Sequence, residues 1–173
     1  SYFTNTLVAL RRAIPRDKTI GSSMKSLDRA IAAVNLRQAE PPPPAEAGRA
    51  AYVGDKACAS CHKPEMAFWK RTVHANAWRT LVVGGKAADL DCVSCHATGF
   101  GEVGGSSLGH TKGLESVQCE VCHGPGSQHV KAEGLEDPPA VRLETAESTC
   151  KRCHNEKHSD TFDYVAYLRD ILG

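Results

Sequence analysis

Cysteine is absent from the first 57 residues of this 173-residue sequence, and residues 1–40 contain no histidine either. Methionine occurs only at Met24 and Met66, and aromatic residues make up 6% of the chain. So few large apolar side chains leave little from which to build an ordinary protein core after residue 51. No long apolar run exists. Stretches such as Leu7–Leu10 fall far short of the roughly 20 residues that a membrane-spanning helix needs, so the chain carries no transmembrane segment. The formal charge of +1 is neither basic nor acidic. The chain begins Ser1-Tyr2-Phe3 with no visible signal peptide, and a processed or truncated chain is the simplest account.

What is present is one motif in four copies. Cys58-Ala-Ser-Cys61-His62, Cys92-Val-Ser-Cys95-His96, Cys119-Glu-Val-Cys122-His123 and Cys150-Lys-Arg-Cys153-His154 consume all eight cysteines. C-x-x-C-H is the attachment sequence of c-type haem. Two thiols three residues apart share one helical turn, so both can bond the vinyl groups along one porphyrin edge. The following imidazole is then carried under the ring to the iron. Half of a zinc site, a thioredoxin-like dithiol or a disulfide would each use C-x-x-C, but none needs histidine next. With histidine at 8 of 173 residues, four chance occurrences have odds on the order of five in a million. Four covalently attached haem c groups are therefore expected at these eight cysteines. As large flat apolar bodies, they would form the core. Their eight propionates would take the chain to about −7, which argues against nucleic acid as a partner. Such attachment takes place outside the cytoplasm in bacteria, so a periplasmic or extracellular location is expected.

Along the chain, Phe3, Leu7, Leu10 and Ile14 form an apolar stripe that Pro15 ends. Gly21-Ser22-Ser23 offers a turn and cap before a second stripe, Met24, Leu27, Ile31 and Val34, running to about Gln38. Residues 1–40 thus read as a helical hairpin serving packing, self-association or the tail of an upstream domain. Pro41–Pro44 opens a semi-rigid linker over 41–50, and the tetrahaem cytochrome c domain spans 51–173. Within it, Pro64 to Val82 reads as one helix containing His74. A glycine-rich stretch from Gly99 to Gly113 carries His110. Gly124-Pro125-Gly126-Ser127 leads to His129. A loop with Asp137-Pro138-Pro139 precedes a short helix from Val141 to Thr149, and Phe162 to Leu172 is a terminal amphipathic helix. The fold class is mostly α with extensive irregular loops.

Eight histidines divide evenly. His62, His96, His123 and His154 follow the cysteines, while His74, His110, His129 and His158 remain as one spare for each iron. Bis-histidine ligation is the expectation, because the two methionines are poorly placed for iron. His158 is four residues after His154 and His129 six after His123, so neither can clasp the same ring from the opposite side. Each second ligand should come from a neighbouring motif's segment, tying the haems into close contact.

Thr72-Val-His-Ala75, Cys95-His-Ala-Thr-Gly-Phe100 and above all Val117-Gln-Cys-Glu-Val-Cys-His-Gly-Pro-Gly-Ser127 resemble the cytochrome c-554 family of tetrahaem proteins, over about residues 52–158. The resemblance implies a mostly helical fold with haems in stacked pairs, working as a multi-electron carrier for other redox proteins. It also implies His110 as second ligand to the first haem, His74 to the third and His129 to the fourth. His158 either fills or leaves open the site on the second haem. Low-potential electron transfer follows from imidazole ligation without methionine. The alternatives are an oxidoreductase acting on a small nitrogen or sulfur species at an open second haem, and an electron-carrying unit of a larger assembly.

Overall fold

The computed structural model describes residues 15, 17–135 and 141–172. The first apolar stripe and the Asp137-Pro138-Pro139 loop lie outside the described residues. What is described is helical, with isolated bridges in place of strands.

Helix α1 runs Lys18–Arg37. Its cap is Asp17, not the Gly21-Ser22-Ser23 turn expected from sequence. In extended backbone, Asp17 accepts from the Thr19 and Ile20 amides at 2.8 and 2.9 Å, satisfying two of the four orphan donors at a helix start. Ser22 is absorbed into the helix by bonding back to the Thr19 carbonyl at 2.8 Å. The helix docks through Asn35, whose amide donates to the Ala88 carbonyl at 2.9 Å, and through Asp28, 2.8 Å from Lys86 Nζ. Met24 and Leu27 remain 60% exposed, so the stripe that predicted the helix is not the face that docks.

The proline run is held against the glycine-rich loop. Gly104 N donates to the Pro43 carbonyl at 2.7 Å and Ser107 Oγ to that of Glu40 at 2.5 Å. Short helices follow: α2 (Asp55–Cys58), α3 (Lys63–Trp69), a 3-10 turn (His74–Asn76), α4 (Ala77–Gly84), α5 (Leu90–His96), α6 (Cys119–His123), α7 (Ser127–Lys131), α8 (Glu147–Lys151) and α9 (Tyr164–Leu172).

The single helix expected over 64–82 is broken at 70–73. α3 closes with tightened bonds, Arg71 N to the Phe68 carbonyl at 3.0 Å and Thr72 N to that of Trp69 at 2.9 Å. Past the break, Val117 N bonds the His74 carbonyl at 3.2 Å, and Ser116 Oγ bonds the Ala75 carbonyl at 3.0 Å and the Trp78 amide at 3.1 Å, tying the start of α4 to a distant segment. The helix expected from Val141 starts only at Glu147.

The apolar core is small. Leu81, Ala88, Val93, Ala97 and Leu108 cluster around α4 and α5, with Ala32 and Ala39 packed on them. Outside that cluster Met66 and Ala77 are buried, and so are polar residues: Thr98 and Ser106 are fully buried, and Thr98 Oγ1 both donates to the Ser116 carbonyl at 2.7 Å and accepts from Gln118 N at 3.0 Å. A core this size leaves the eight cysteines without an apolar interior of their own. Gly105 shows how tightly the loop folds, since a Cβ there would meet the Gly99 carbonyl oxygen at 2.0 Å.

Candidate haem centres

Each motif lies on one turn of helix. In α5 and α6 the helix contains both cysteines and the histidine. In the first and fourth motifs the helix ends early, yet His62 N still bonds the Cys58 carbonyl at 3.0 Å and His154 N the Cys150 carbonyl at 2.9 Å. Both thiols of each motif therefore face one way, with the imidazole one turn on. None of the eight cysteines is paired in a disulfide.

The motif histidines are oriented by their second ring nitrogen. His96 Nδ1 lies 2.6 Å from the Ala77 carbonyl oxygen and His123 Nδ1 2.5 Å from that of Arg142. A carbonyl only accepts, so Nδ1 carries the proton and Nε2 keeps its lone pair for a metal. His154 Nδ1 lies 3.2 Å from Ser159 Oγ, and its ring is braced by Phe162, stacked at 4.8 Å, and Tyr167, edge-on at 5.4 Å. His62 is the least anchored, with Nδ1 4.0 Å from the Glu65 carboxylate.

Two spare histidines meet motif histidines across segments. The rings of His62 and His129 stand 6.2 Å apart and those of His74 and His154 6.1 Å apart, centre to centre. Two imidazoles gripping one metal from opposite sides, each nitrogen about 2.0 Å away, would stand about 6 Å apart. Both pairs join a spare histidine to a motif histidine from another segment. The partners differ from those implied by the family resemblance: His129 stands beside His62 and His74 beside His154. Burial, then the neighbouring His154, hold His74 below the usual imidazole range; burial does the same to His154, so both favour the neutral, ligating form. His110 and His158 are exposed, His110 with its Nδ1 3.1 Å from the Leu108 carbonyl oxygen.

The motifs adjoin in a fixed order. The Cys58 and Cys119 side chains lie side by side, and as unattached thiols Cys58 is pushed up and Cys119 drawn down to about 7 by that neighbour. Cys153 is pushed up to about 12 by burial and then by its bond to Cys95. Cys122 is raised by burial and then by the field of Cys150. Motif one thus touches three, three neighbours four, and four touches two. Beside the fourth motif, Val117, Val121, Phe162, Leu168 and Ile171 wall a slot that also holds Cys150, Cys153, His154 and His74. Paired thiols, opposed imidazoles and apolar walls fit a covalently held porphyrin. No group of three or more His, Cys, Asp or Glu converges among the described residues, as a tetrahedral zinc site would need.

Ser116, Gln118 and Glu120 escaped the sequence reading. Ser116 takes a left-handed φ of 74°, rare for a residue with Cβ. There its hydroxyl serves both Ala75 O and Trp78 N, at 3.0 and 3.1 Å, and its amide bonds the His96 carbonyl at 2.9 Å. Glu120 was visible only as a variable letter between two cysteines.

Such a fold, built on four attachment motifs, defines a multihaem c-type cytochrome that carries covalently bound haem c. Residues 57–124 match the family model described as cytochrome c554 and c-prime. A curated relative, cytochrome c-554 of Nitrosomonas europaea, is 40% identical over 96 residues, covering 46% of this chain and 41% of the relative. The chain thus spans about two fifths of that relative's length. The solved structure of reduced cytochrome c554 from Nitrosomonas europaea superposes with a TM-score of 0.54 at 27% identity, over 69% of this chain and 82% of that one. The chain resembles the cytochrome c554 family in sequence across its first three motifs, and in fold across most of its length.

Proposed function

We propose that this chain is a tetrahaem electron carrier, passing electrons one at a time between other redox proteins outside the cytoplasm. The observation that carries the reading is the meeting of motif and spare imidazoles across segments, His62 with His129 at 6.2 Å and His74 with His154 at 6.1 Å, in a chain with four attachment motifs. When bound, haem supplies one-electron ferric–ferrous chemistry. The chain holds it by the eight cysteines and by His62, His96, His123 and His154. In this reading His129 is the second ligand of the first haem and His74 that of the fourth, leaving His110 and His158 for the third and second. Nitrogen ligands throughout, without methionine, favour low potentials.

The chain's own part is positional. Main-chain carbonyls orient the imidazoles, apolar walls exclude water, and the motif order sets the path. Residues 51–173 are the redox domain. Residues 1–40 join it to a second copy or to a larger assembly through the exposed stripe on α1.

Mass spectrometry of the denatured protein tests the cofactor count: four haem additions are expected, and the bare polypeptide mass would end the reading. Electron paramagnetic resonance of the native protein tests the role. Low-spin signals unchanged by cyanide or nitric oxide support a carrier. A high-spin second haem that binds them would instead mark a reaction centre.

A further inference from the structure

Glu120 lies between the two cysteines of the third motif and is only 3% exposed. Its carboxylate accepts from Val53 N at 3.0 and 3.1 Å, from Gly54 N at 2.8 Å and from Gly126 N at 2.7 Å. All three partners are main-chain N–H groups, which only donate. Both carboxylate oxygens serve as acceptors here, the arrangement that charge-assisted bonds from main-chain amides favour. Among the described residues no lysine or arginine forms an ion pair with Glu120, so its charge is balanced by amide dipoles alone.

The donors come from two separate parts of the redox domain, and the acceptor from a third. Gly54 is the cap of α2, which leads into the first motif. Gly126 is the cap of α7, which carries His129. Glu120 itself sits in α6, the third motif. A buried negative charge thus lies where motifs one and three meet, bonded to main chain that leads into the first motif and to main chain that leads to His129.

We infer that Glu120 is a positioning residue that keeps a fixed anion between the first and third haem sites and biases both towards their oxidised state. The inference rests on the carrier reading and deepens it. A negative charge close to a redox centre favours the more positive, oxidised form, and it acts strongly where water is excluded. Its effect should be confined to the two centres it adjoins, making them poorer electron acceptors than the second and fourth. Electrons delivered to the chain would then collect at the second and fourth sites.

The test is a potentiometric titration of the purified holoprotein, followed by visible absorption and paramagnetic resonance, for wild type, E120Q and E120D. Removing the charge in E120Q is expected to favour reduction at two of the four centres by about tenfold, which is 59 mV for a one-electron couple. The other two should stay within about threefold. E120D keeps the charge and should leave all four within that margin, even if its shorter side chain lowers stability. Four unmoved centres in E120Q, or four moved alike, would overturn the inference. Should E120Q not assemble, E120D decides alone: a tenfold rise at two centres there means that side-chain fit, not charge, sets the bias. The same preparations are weighed after denaturation. A wild-type protein without haem sinks the carrier reading itself, whereas unmoved potentials on a four-haem protein sink only the role of Glu120.

Discussion

The imidazole rings of His74 and His154, 80 positions apart in sequence, stand 6.1 Å from centre to centre. That separation suits two ligands of one iron. Replacing His74 with Ala should therefore convert one haem of four to a high-spin form, read as a new paramagnetic resonance signal and a weakened low-spin one. H129A should do the same at a different centre, and the double variant should show two. A wholly low-spin H74A protein would dismiss this pairing.

Ser116 serves three backbone groups from a strained conformation. S116A leaves the Trp78 amide and the Ala75 carbonyl without that partner. A loss of about 1–3 kcal/mol in unfolding free energy is expected from an unmet, part-buried polar group. Denaturant titration of the holoprotein reads it. S116G, which relieves the positive φ but also lacks the hydroxyl, should fall between S116A and wild type.

Asp89 caps α5, accepting from Asp91 N at 3.1 Å, and pairs with Lys86 at 3.0 Å. The Lys86 bond is the main reason its carboxyl sits below the ordinary value of 3.8. A carboxylate depressed on folding adds stability above its unfolded value, and that stability is lost as pH falls through the folded one. Wild type should thus lose part of its margin below about pH 4, while D89N should lose less there because it lacks that margin already. At neutral pH, D89A should cost about 1 kcal/mol through the lost cap, read as a lower melting temperature.

Met24 and Leu27 stand exposed on α1 although their spacing is that of a buried face. Sedimentation of the wild-type chain should show a mass above the monomer, and M24E/L27E should return it to the monomer without changing the haem spectrum. A monomeric wild type would refute self-association through this stripe.

Two residues show where sequence reasoning stops. His129 was legible in the sequence as a spare imidazole after a haem motif, and so as a candidate ligand. Its placement beside His62 was not, since nothing local relates positions 67 apart. Pro64 to Val82 read as one helix by its apolar period, yet the chain tightens at Arg71 and Thr72 and restarts at Ala77, where Ser116 from a distant segment caps the Trp78 amide. The Asp17 cap was missed because Gly21-Ser22-Ser23 offered a more familiar stop.

By itself the sequence determined the cofactor chemistry, the number of sites and the residues that attach them. Covalent attachment depends on a spacing of four or five adjacent residues, which local backbone geometry already dictates. Only the tertiary structure decided which motifs adjoin, which imidazoles face each other and where the buried charge of Glu120 lies. Those are relations between segments up to 80 residues apart, set by hydrogen bonds and packing that no short stretch of chain encodes alone.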